Sequence, residues 1–175
     1  MGTLLTAEIE KYIGMESEPQ LACEPVEKGA VRRFAQAVMD PDPIYMDEAY
    51  TRDTRYRKPV APPLFPVTML RAPFGSPDLV TERAKNAYFD GILDTTSLGL
   101  PRLPLVNSSQ LTGTVEVELY RYAEHGEAVW VQSRYKDIYE RETSRGVLLF
   151  VIIETDFRDG AGGLICRFTK VQARG

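Results

Sequence analysis

Residues 147–157 read VLLFVIIETDF, and their first seven positions are all apolar. A short run that is apolar on both sides of an extended chain predicts a strand at the centre of a sheet, covered on each face. Residues 110–122, QLTGTVEVELYRY, alternate instead, with Val115, Val117 and Leu119 on one side and polar residues on the other. This alternation predicts a half-buried strand.

Two further extended runs complete the set, AVWVQSRYKDIYER at 128–141 and LICRFTKVQAR at 164–174. The connections between the four runs are short and rich in turn residues, which predicts an antiparallel meander. The prolines support the same division, because all 12 lie at or before Pro104 and a central strand ladder tolerates few of them. We therefore expect a sheet over residues 105–175.

Residues 1–104 have the character of helices and loops. Residues 5–14 predict a short amphipathic helix, and residues 76–89 predict another, which begins at a Ser-Pro pair. A third helix ends at Asp40, and its apolar face is expected to carry Val31, Phe34, Ala35 and Val38. Helices beside an antiparallel sheet predict an α+β protein.

The order of elements narrows this class to one domain over residues 1–175 with the hot-dog fold, an antiparallel sheet wrapped around a central helix. The alternative is a cone-shaped α+β fold, in which the sheet curves around N-terminal helices. A cone-shaped fold has its ligand-binding pocket between the helices and the sheet, whereas the active sites of hot-dog proteins usually form between two subunits.

Composition excludes several classes of function. The net charge is −4, so no basic field favours nucleic acid, and no apolar run approaches the length of a membrane span. The N-terminus lacks the basic and apolar regions of a secretory signal. Two isolated cysteines, Cys23 and Cys166, favour a reducing cytoplasm and predict no metal site. The one histidine, His125, lies in a turn and is expected to be exposed.

Residues 34–50, FAQAVMDPDPIYMDEAY, carry a more specific pattern. They resemble the signature of MaoC-like, R-specific enoyl-CoA hydratases and dehydratases, in which an Asp is followed by a short Pro-containing stretch and then by the catalytic His. Asp40 stands at the position of that Asp, but Tyr45 stands where the resemblance places the histidine. The segment KPVAPPLFPVTMLR at 58–71 is similar to the Ala-Pro-Pro segment of the N-terminal, non-catalytic half of double-hot-dog dehydratases.

The resemblance implies a specific chemistry. In the family an Asp and a His hold the water that adds to an enoyl thioester, and amides at the start of the central helix hold the thioester oxygen. A phenol titrates near pH 10 and is a poor base at neutral pH. Pro62 and Pro63 have no amide protons to offer. The resemblance therefore implies that this chain lacks two catalytic elements of the family, the histidine and the amide donors at residues 62 and 63.

We expect the chain to be the non-catalytic subunit of a hetero-oligomeric enoyl-CoA hydratase or 3-hydroxyacyl thioester dehydratase, with no cofactor. A catalytic MaoC-like partner would supply the Asp and His in a heterodimer or heterotetramer, and the substrate would be an acyl-CoA or acyl-carrier-protein thioester. Two alternatives stay open. One is a homodimeric hydratase or thioesterase using Asp40 with Tyr45, and the other is a non-enzymatic acyl-CoA-binding module.

The candidate residues have structural interpretations as well as functional ones. Asp40 also fits an Asx turn before a proline, and Tyr45 also fits a packing role against the sheet. The expected substrate contacts are Pro62, Phe65, Asn107, Arg55, Arg57 and Lys58. The cluster Arg52, Arg55, Arg57 and Lys58 is the candidate for the phosphates of CoA, although these cations and Asn107 also fit solvated loops.

Overall fold

The structure is a computed structural model that describes residues 3–70, 75–77, 79–87, 99–105, 110–144 and 146–175. Its helices are α1 (Ala7–Glu10), α2 (Lys28–Ala37), α3 (Glu48–Arg52), α4 (Leu79–Ala84) and two 3-10 helices, Pro43–Tyr45 and Phe65–Met69. Its strands are β1 (Gln20–Leu21), β2 (Gln110–Leu119), β3 (Trp130–Thr143), β4 (Gly146–Arg158) and β5 (Leu164–Arg174). The predicted α+β class is confirmed.

The strands form one antiparallel sheet in the order β1-β3-β4-β5-β2. The strand β4 lies at its centre, as the run VLLFVII predicts. The expectation that both of its faces are covered is wrong, because Leu149, Val151 and Ile153 are buried on one face whereas Leu148, Phe150 and Ile152 on the other are partly exposed. The long strand β2 forms one edge of the sheet, and the two-residue strand β1 forms the other.

One face of the sheet carries the core, which has two parts. In the larger part, α2 and both 3-10 helices pack on the sheet through Val31, Tyr45 and Phe65, which meet Val129 and Phe157. In the smaller part, Ile9 of α1 packs with five sheet residues, namely Tyr135, Ile138, Leu149, Val151 and Ile153. The helices α1 and α2 and the two 3-10 helices thus lie on this face of the sheet. Their packing fixes the position of residues 38–47, which follow α2.

The structure corrects three local expectations. Val38 is 50% exposed, because α2 ends at Ala37 and the chain has left the helix by that point. The strand β2 is exposed along nearly its whole length rather than half-buried, because it lies at the edge of the sheet. The helix predicted over residues 5–14 is shorter, because α1 has only four residues. Of the helix predicted over residues 76–89, α4 covers Leu79–Ala84, while residues 78, 88 and 89 lie outside the described residues.

Among the helices within these ranges, none is both long and apolar enough to cross a bilayer.

Candidate functional site

The loop after α2 brings Asp40 and Tyr45 together. The Asp40 amide donates to the Ala35 carbonyl at 2.9 Å, which turns the chain back against the helix. Oδ1 of Asp40 accepts from the Asp42 amide at 3.3 Å, and this contact is an Asx turn. Oδ2 of Asp40 accepts from the Tyr45 hydroxyl at 2.8 Å. Both carboxylate oxygens therefore have partners within the loop.

Tyr45 is held by its own short helix. Asp42 caps the 3-10 helix Pro43–Tyr45 by accepting from the Ile44 amide at 3.0 Å, and the Tyr45 ring packs into the core with 4% exposure. Burial raises the pKa of the Tyr45 phenol, and the hydrogen bond to the negatively charged Asp40 raises this pKa further. The phenol thus stays protonated at neutral pH and acts as a donor, not as a base.

A largely apolar cavity of about 470 Å³ opens beside this pair. Its walls include Ala35, Met39, Pro43 and Met46, and Asp40 reaches it from the loop. Met39 has a φ of 56° and a side chain that is 87% exposed. This left-handed conformation is unusual for methionine and places an exposed, unbranched apolar side chain at the rim of the cavity.

The second 3-10 helix begins in a proline-rich stretch. Residues 62, 63 and 66 are prolines and have no amide protons. The amides of Phe65 and Val67 donate to the carbonyls of Pro62 and Leu64, at 2.9 and 3.2 Å. Leu64 is the remaining residue of this stretch, and its amide makes no hydrogen bond among the described residues. The stretch therefore offers one free amide to a thioester oxygen.

Pro62 and Phe65, expected to contact substrate, are both buried. Phe65 is 3% exposed and packs edge-to-face on Phe34, with ring centroids 5.8 Å apart. Neither residue lines the Asp40 cavity. Their contact with a substrate stays a prediction.

A second cavity, of about 700 Å³, lies where α2 begins. Four cations line it, contributed by α2, α3 and the following loop, namely Lys28, Arg52, Arg57 and Lys58. Lys28 pairs with Glu48 at 3.0 Å and Lys58 pairs with Glu124. The two arginines have no carboxylate partner within the part of the chain that the structure describes.

The lining of this cavity carries more positive than negative charge. The four cations face two carboxylates, Glu48 and the N-cap residue Glu27, which makes no side-chain hydrogen bond to the first turn of α2. With two guanidinium groups among the cations, this arrangement suits an anion such as a phosphate.

His125 borders the same cavity and is half-buried, so the expectation of an exposed turn residue is wrong. Its backbone amide donates to the Pro59 carbonyl at 3.3 Å, which draws the turn against the loop. Burial lowers the pKa of the imidazole, and the positive charge of Lys28 lowers it further. The buried Nε2 has no hydrogen-bond partner among the described residues.

The predicted cation cluster divides into two. Arg57 and Lys58 line the cationic cavity, but Arg55 lines a separate one and donates to the Tyr56 hydroxyl at 2.7 Å. Asn107 lies outside the described residues. Sequence reasoning missed Lys28, whose position at the cavity depends on how α2 packs, and no local pattern marks it.

Comparison with known proteins identifies a family. The family model described as "FAS1-like, dehydratase domain region" matches residues 11–168. A UPF0336 protein of Thermobifida fusca is 41% identical over 39 residues, which are 22% of this chain and 26% of that protein.

Three solved structures show the same fold. The ChsH1-ChsH2 complex from Mycobacterium tuberculosis is similar with a TM-score of 0.68 and 19% identity, over 95% of this chain and 91% of that one. The HadBC 3R-hydroxyacyl-ACP dehydratase complex of the same organism has a TM-score of 0.59 and 16% identity, over 94% and 97%. The R-hydratase PhaJ1 from Pseudomonas aeruginosa has a TM-score of 0.57 and 12% identity, over 91% and 79%. The predicted hot-dog fold of MaoC-like dehydratases is confirmed.

Proposed function

Since the chain belongs to the FAS1-like dehydratase region family, we propose that it is the non-catalytic subunit of a hetero-oligomeric enoyl thioester hydratase or dehydratase. Two of the structurally similar proteins are described as two-component complexes, ChsH1-ChsH2 and HadBC. A catalytic MaoC-like partner supplies the Asp and His, and this chain shapes the site for the acyl group. The location in a reducing cytoplasm is part of the proposal.

The hydrogen-bonded pair of Asp40 and Tyr45 carries the proposal. A hydratase needs a base that takes a proton from water at neutral pH, and the Tyr45 phenol holds its proton too tightly. The Asp40 carboxylate is already engaged on both oxygens by Asp42 and Tyr45. The pair therefore suits a structural role in the loop rather than activation of water.

The start of the second 3-10 helix supports the same conclusion. Stabilising the oxyanion that develops on a thioester requires N–H donors aimed at that oxygen. Pro62, Pro63 and Pro66 have no such donor, and the amides of Phe65 and Val67 are used within the turn, which leaves the Leu64 amide as the one free donor of residues 62–67. A single donor makes a weak oxyanion site, so in this proposal the partner provides the second catalytic element.

The two cavities suit the two ends of an acyl thioester. The apolar walls around Met39 and Met46 fit a hydrocarbon chain, because they offer nonpolar surface and flexible side chains. Arg52, Arg57 and Lys58 fit the phosphates of CoA or of a carrier-protein prosthetic group. The substrate class is proposed on this complementarity of charge and polarity.

Reconstitution tests the function. The purified chain is assayed with crotonyl-CoA, alone and after addition to a candidate catalytic MaoC-like chain from the same organism that has an intact Asp and His. We expect no turnover by this chain alone, a stable complex by size-exclusion chromatography, and a gain of hydratase activity on mixing. Partner activity that is complete alone and unchanged on addition would count against the proposal.

A further inference from the structure

Arg121, just after β2, joins two turns that lie far apart in the chain. Its Nη1 donates to Oε2 of Glu127 at 3.0 Å, and its Nη2 donates to Oδ2 of Asp159 at 2.8 Å. A second hydrogen bond, from Nη2 to Oε1 of Glu127, makes the contact with that carboxylate bidentate. Because a bidentate pair fixes direction as well as distance, the guanidinium is held in one orientation between the two carboxylates.

Both carboxylates also accept hydrogen bonds from backbone amides. Oε2 of Glu127 accepts from the Glu124 amide at 2.9 Å and so closes the turn between these two residues, the β2-β3 turn. Oδ1 of Asp159 accepts from the Gly163 amide at 2.8 Å and closes the connection between β4 and β5. Arg121 therefore fixes the β2-β3 turn relative to the end of the central strand.

The β2-β3 turn lies between the two walls of the cationic cavity. On one side the Gly126 amide donates to the Val26 carbonyl at 2.8 Å, and the Val26 amide donates to the Glu127 carbonyl at 2.9 Å, shortly before α2 begins. On the other side the His125 amide donates to the Pro59 carbonyl at 3.3 Å. The turn thus connects the wall formed by the start of α2 with the wall formed by the loop after α3.

The cations of the second wall depend on this connection. Lys58 forms its ion pair with Glu124 of the β2-β3 turn. The neighbouring Arg57 has a φ of 65°, and its Nη1 donates to the Arg52 carbonyl at 3.2 Å. A left-handed conformation is costly for arginine and persists only where surrounding contacts hold the loop. Movement of the turn would therefore displace the groups that face an anion in the cavity.

We propose that Arg121 is a positioning residue for the cationic cavity, where it sets the affinity for the phosphates of a CoA thioester by holding the β2-β3 turn between the two walls. Arg121 lines the neighbouring cavity, so it acts through the turn and not by contact with the phosphates. This inference rests on the use of the cavity for phosphates in the proposed function. Small displacements of charged donors weaken their hydrogen bonds, because these bonds depend on distance and angle.

Binding of free CoA to the purified chain, measured by isothermal titration calorimetry, tests this role. Arg121→Met removes the guanidinium but keeps a long side chain, and we expect it to raise the Kd about threefold to fivefold. Arg121→Lys can keep one carboxylate partner and should give an intermediate Kd. In an Arg57→Ala background the effect of Arg121→Met should fall below about twofold, because residues that act on one site are not additive. An equal effect in both backgrounds would overturn the proposal.

Arg158→Met is the matched control. The Arg158 side chain is 36% exposed, against 35% for Arg121, and it pairs with Asp156 at 2.6 Å and donates to the Gly162 carbonyl at 3.0 Å. The control therefore removes a cation from the β4-β5 connection while the β2-β3 turn keeps its contacts. Its Kd should match that of the wild type. Equal Kd values for Arg121→Met and Arg158→Met would overturn the proposal, and if Arg121→Met does not fold, Arg121→Lys carries the same comparison.

Kinetics of the reconstituted complex separates this inference from the proposed function. With crotonyl-CoA, Arg121→Met should raise the KM by the same factor as the Kd and leave kcat unchanged, whereas a general loss of structure would lower kcat. An active complex with the same KM in wild type and Arg121→Met would overturn this inference and leave the proposed function standing. An inactive wild-type complex would overturn the proposed function, and the Kd values would still decide the role of Arg121. A chain that binds no CoA, alone or in the complex, would overturn this inference.

Discussion

Tyr45 is the residue on which the interpretation of the site depends. Its hydroxyl points at Asp40 and donates at 2.8 Å, and its ring is part of the core. An imidazole in the same place would titrate near neutral pH, whereas the buried phenol next to a carboxylate does not. Tyr45 thus provides a hydrogen-bond donor, and not a proton acceptor, at this position of the loop.

Arg57 and Arg55 allow a paired test of the cationic cavity. In the assembled complex, Arg57→Ala should raise the KM for an acyl-CoA roughly fivefold to tenfold, because it removes a charge-assisted contact to phosphate without touching the reacting atoms. The value of kcat should stay unchanged. Steady-state kinetics measures both parameters.

Arg55→Ala serves as the matched control, because it removes the same charge two residues away but from a different cavity. Its KM should stay within about twofold of the wild type. Equal effects of the two variants on KM would show that the cavity does not hold the phosphates.

Sequence reasoning reached part of the site and missed the rest for a physical reason. The positions of Asp40 and Tyr45 follow from a local motif, and the Asx turn follows from a carboxylate before Pro41. The cavity at Lys28 and His125 joins segments about 100 residues apart, which only tertiary packing brings together. For this reason the half-buried state of His125 was not predictable from its turn sequence.

At the scale of single elements, β4 and its neighbours hold a buried charge. Glu154 is 2% exposed on the face opposite the core, beside Arg134 and Lys136 of β3 and Arg167 of β5. Burial by itself would raise the pKa of this carboxyl, but the hydrogen bond from Lys136 and the positive charges of Arg134 and Arg167 outweigh it and hold the pKa below its ordinary value. The folded state therefore favours the ionised carboxylate.

Substitution Glu154→Gln should lower the free energy of unfolding at pH 7 by about 1–3 kcal/mol, because it leaves these cations without their shared anion. The sign of the pH dependence follows from the lowered pKa. The stabilisation is present above the pKa that the carboxyl has in the unfolded chain, and it is lost as the pH falls through the lower folded-state pKa. Urea unfolding at pH 7 and at decreasing pH measures it.

The wild type and the variant should therefore converge in stability at acid pH. Glu142→Gln on the exposed end of β3 is the control, and it should change stability by less than about 0.5 kcal/mol. A gap between wild type and Glu154→Gln that is constant with pH would contradict the assignment of an ionised carboxylate.

The strands also show what a pattern predicts well and what it does not. All four long strands lie where the alternating and apolar runs place them, because period and turn residues are local properties. The exposure of a side chain, in contrast, depends on where its strand lies in the folded sheet, and a local sequence pattern does not determine that. The apolar residues Val115 and Val117 predict a buried face, but β2 lies at an edge and keeps that face open in a single chain.

At the scale of the whole molecule, the sheet and the loop region have different roles. The proline-free sheet has the fold of solved structures of similar proteins, with a TM-score of 0.68 to the ChsH1-ChsH2 complex. The proline-rich part contains Tyr45 and the start of the second 3-10 helix, where the proposed function places the missing catalytic groups. This division is consistent with the proposed subunit, which binds and orients substrate while its partner supplies catalysis.

The most direct test of this account is the effect of Asp40→Asn on kcat in the reconstituted complex. Asparagine retains the oxygen that forms the Asx turn, so the loop should keep its shape. The account predicts a kcat within about twofold of the wild type, whereas loss of a general base costs at least about 100-fold. A fall of that size with Asp40→Asn, in a variant that still assembles, would contradict the claim that this subunit is non-catalytic.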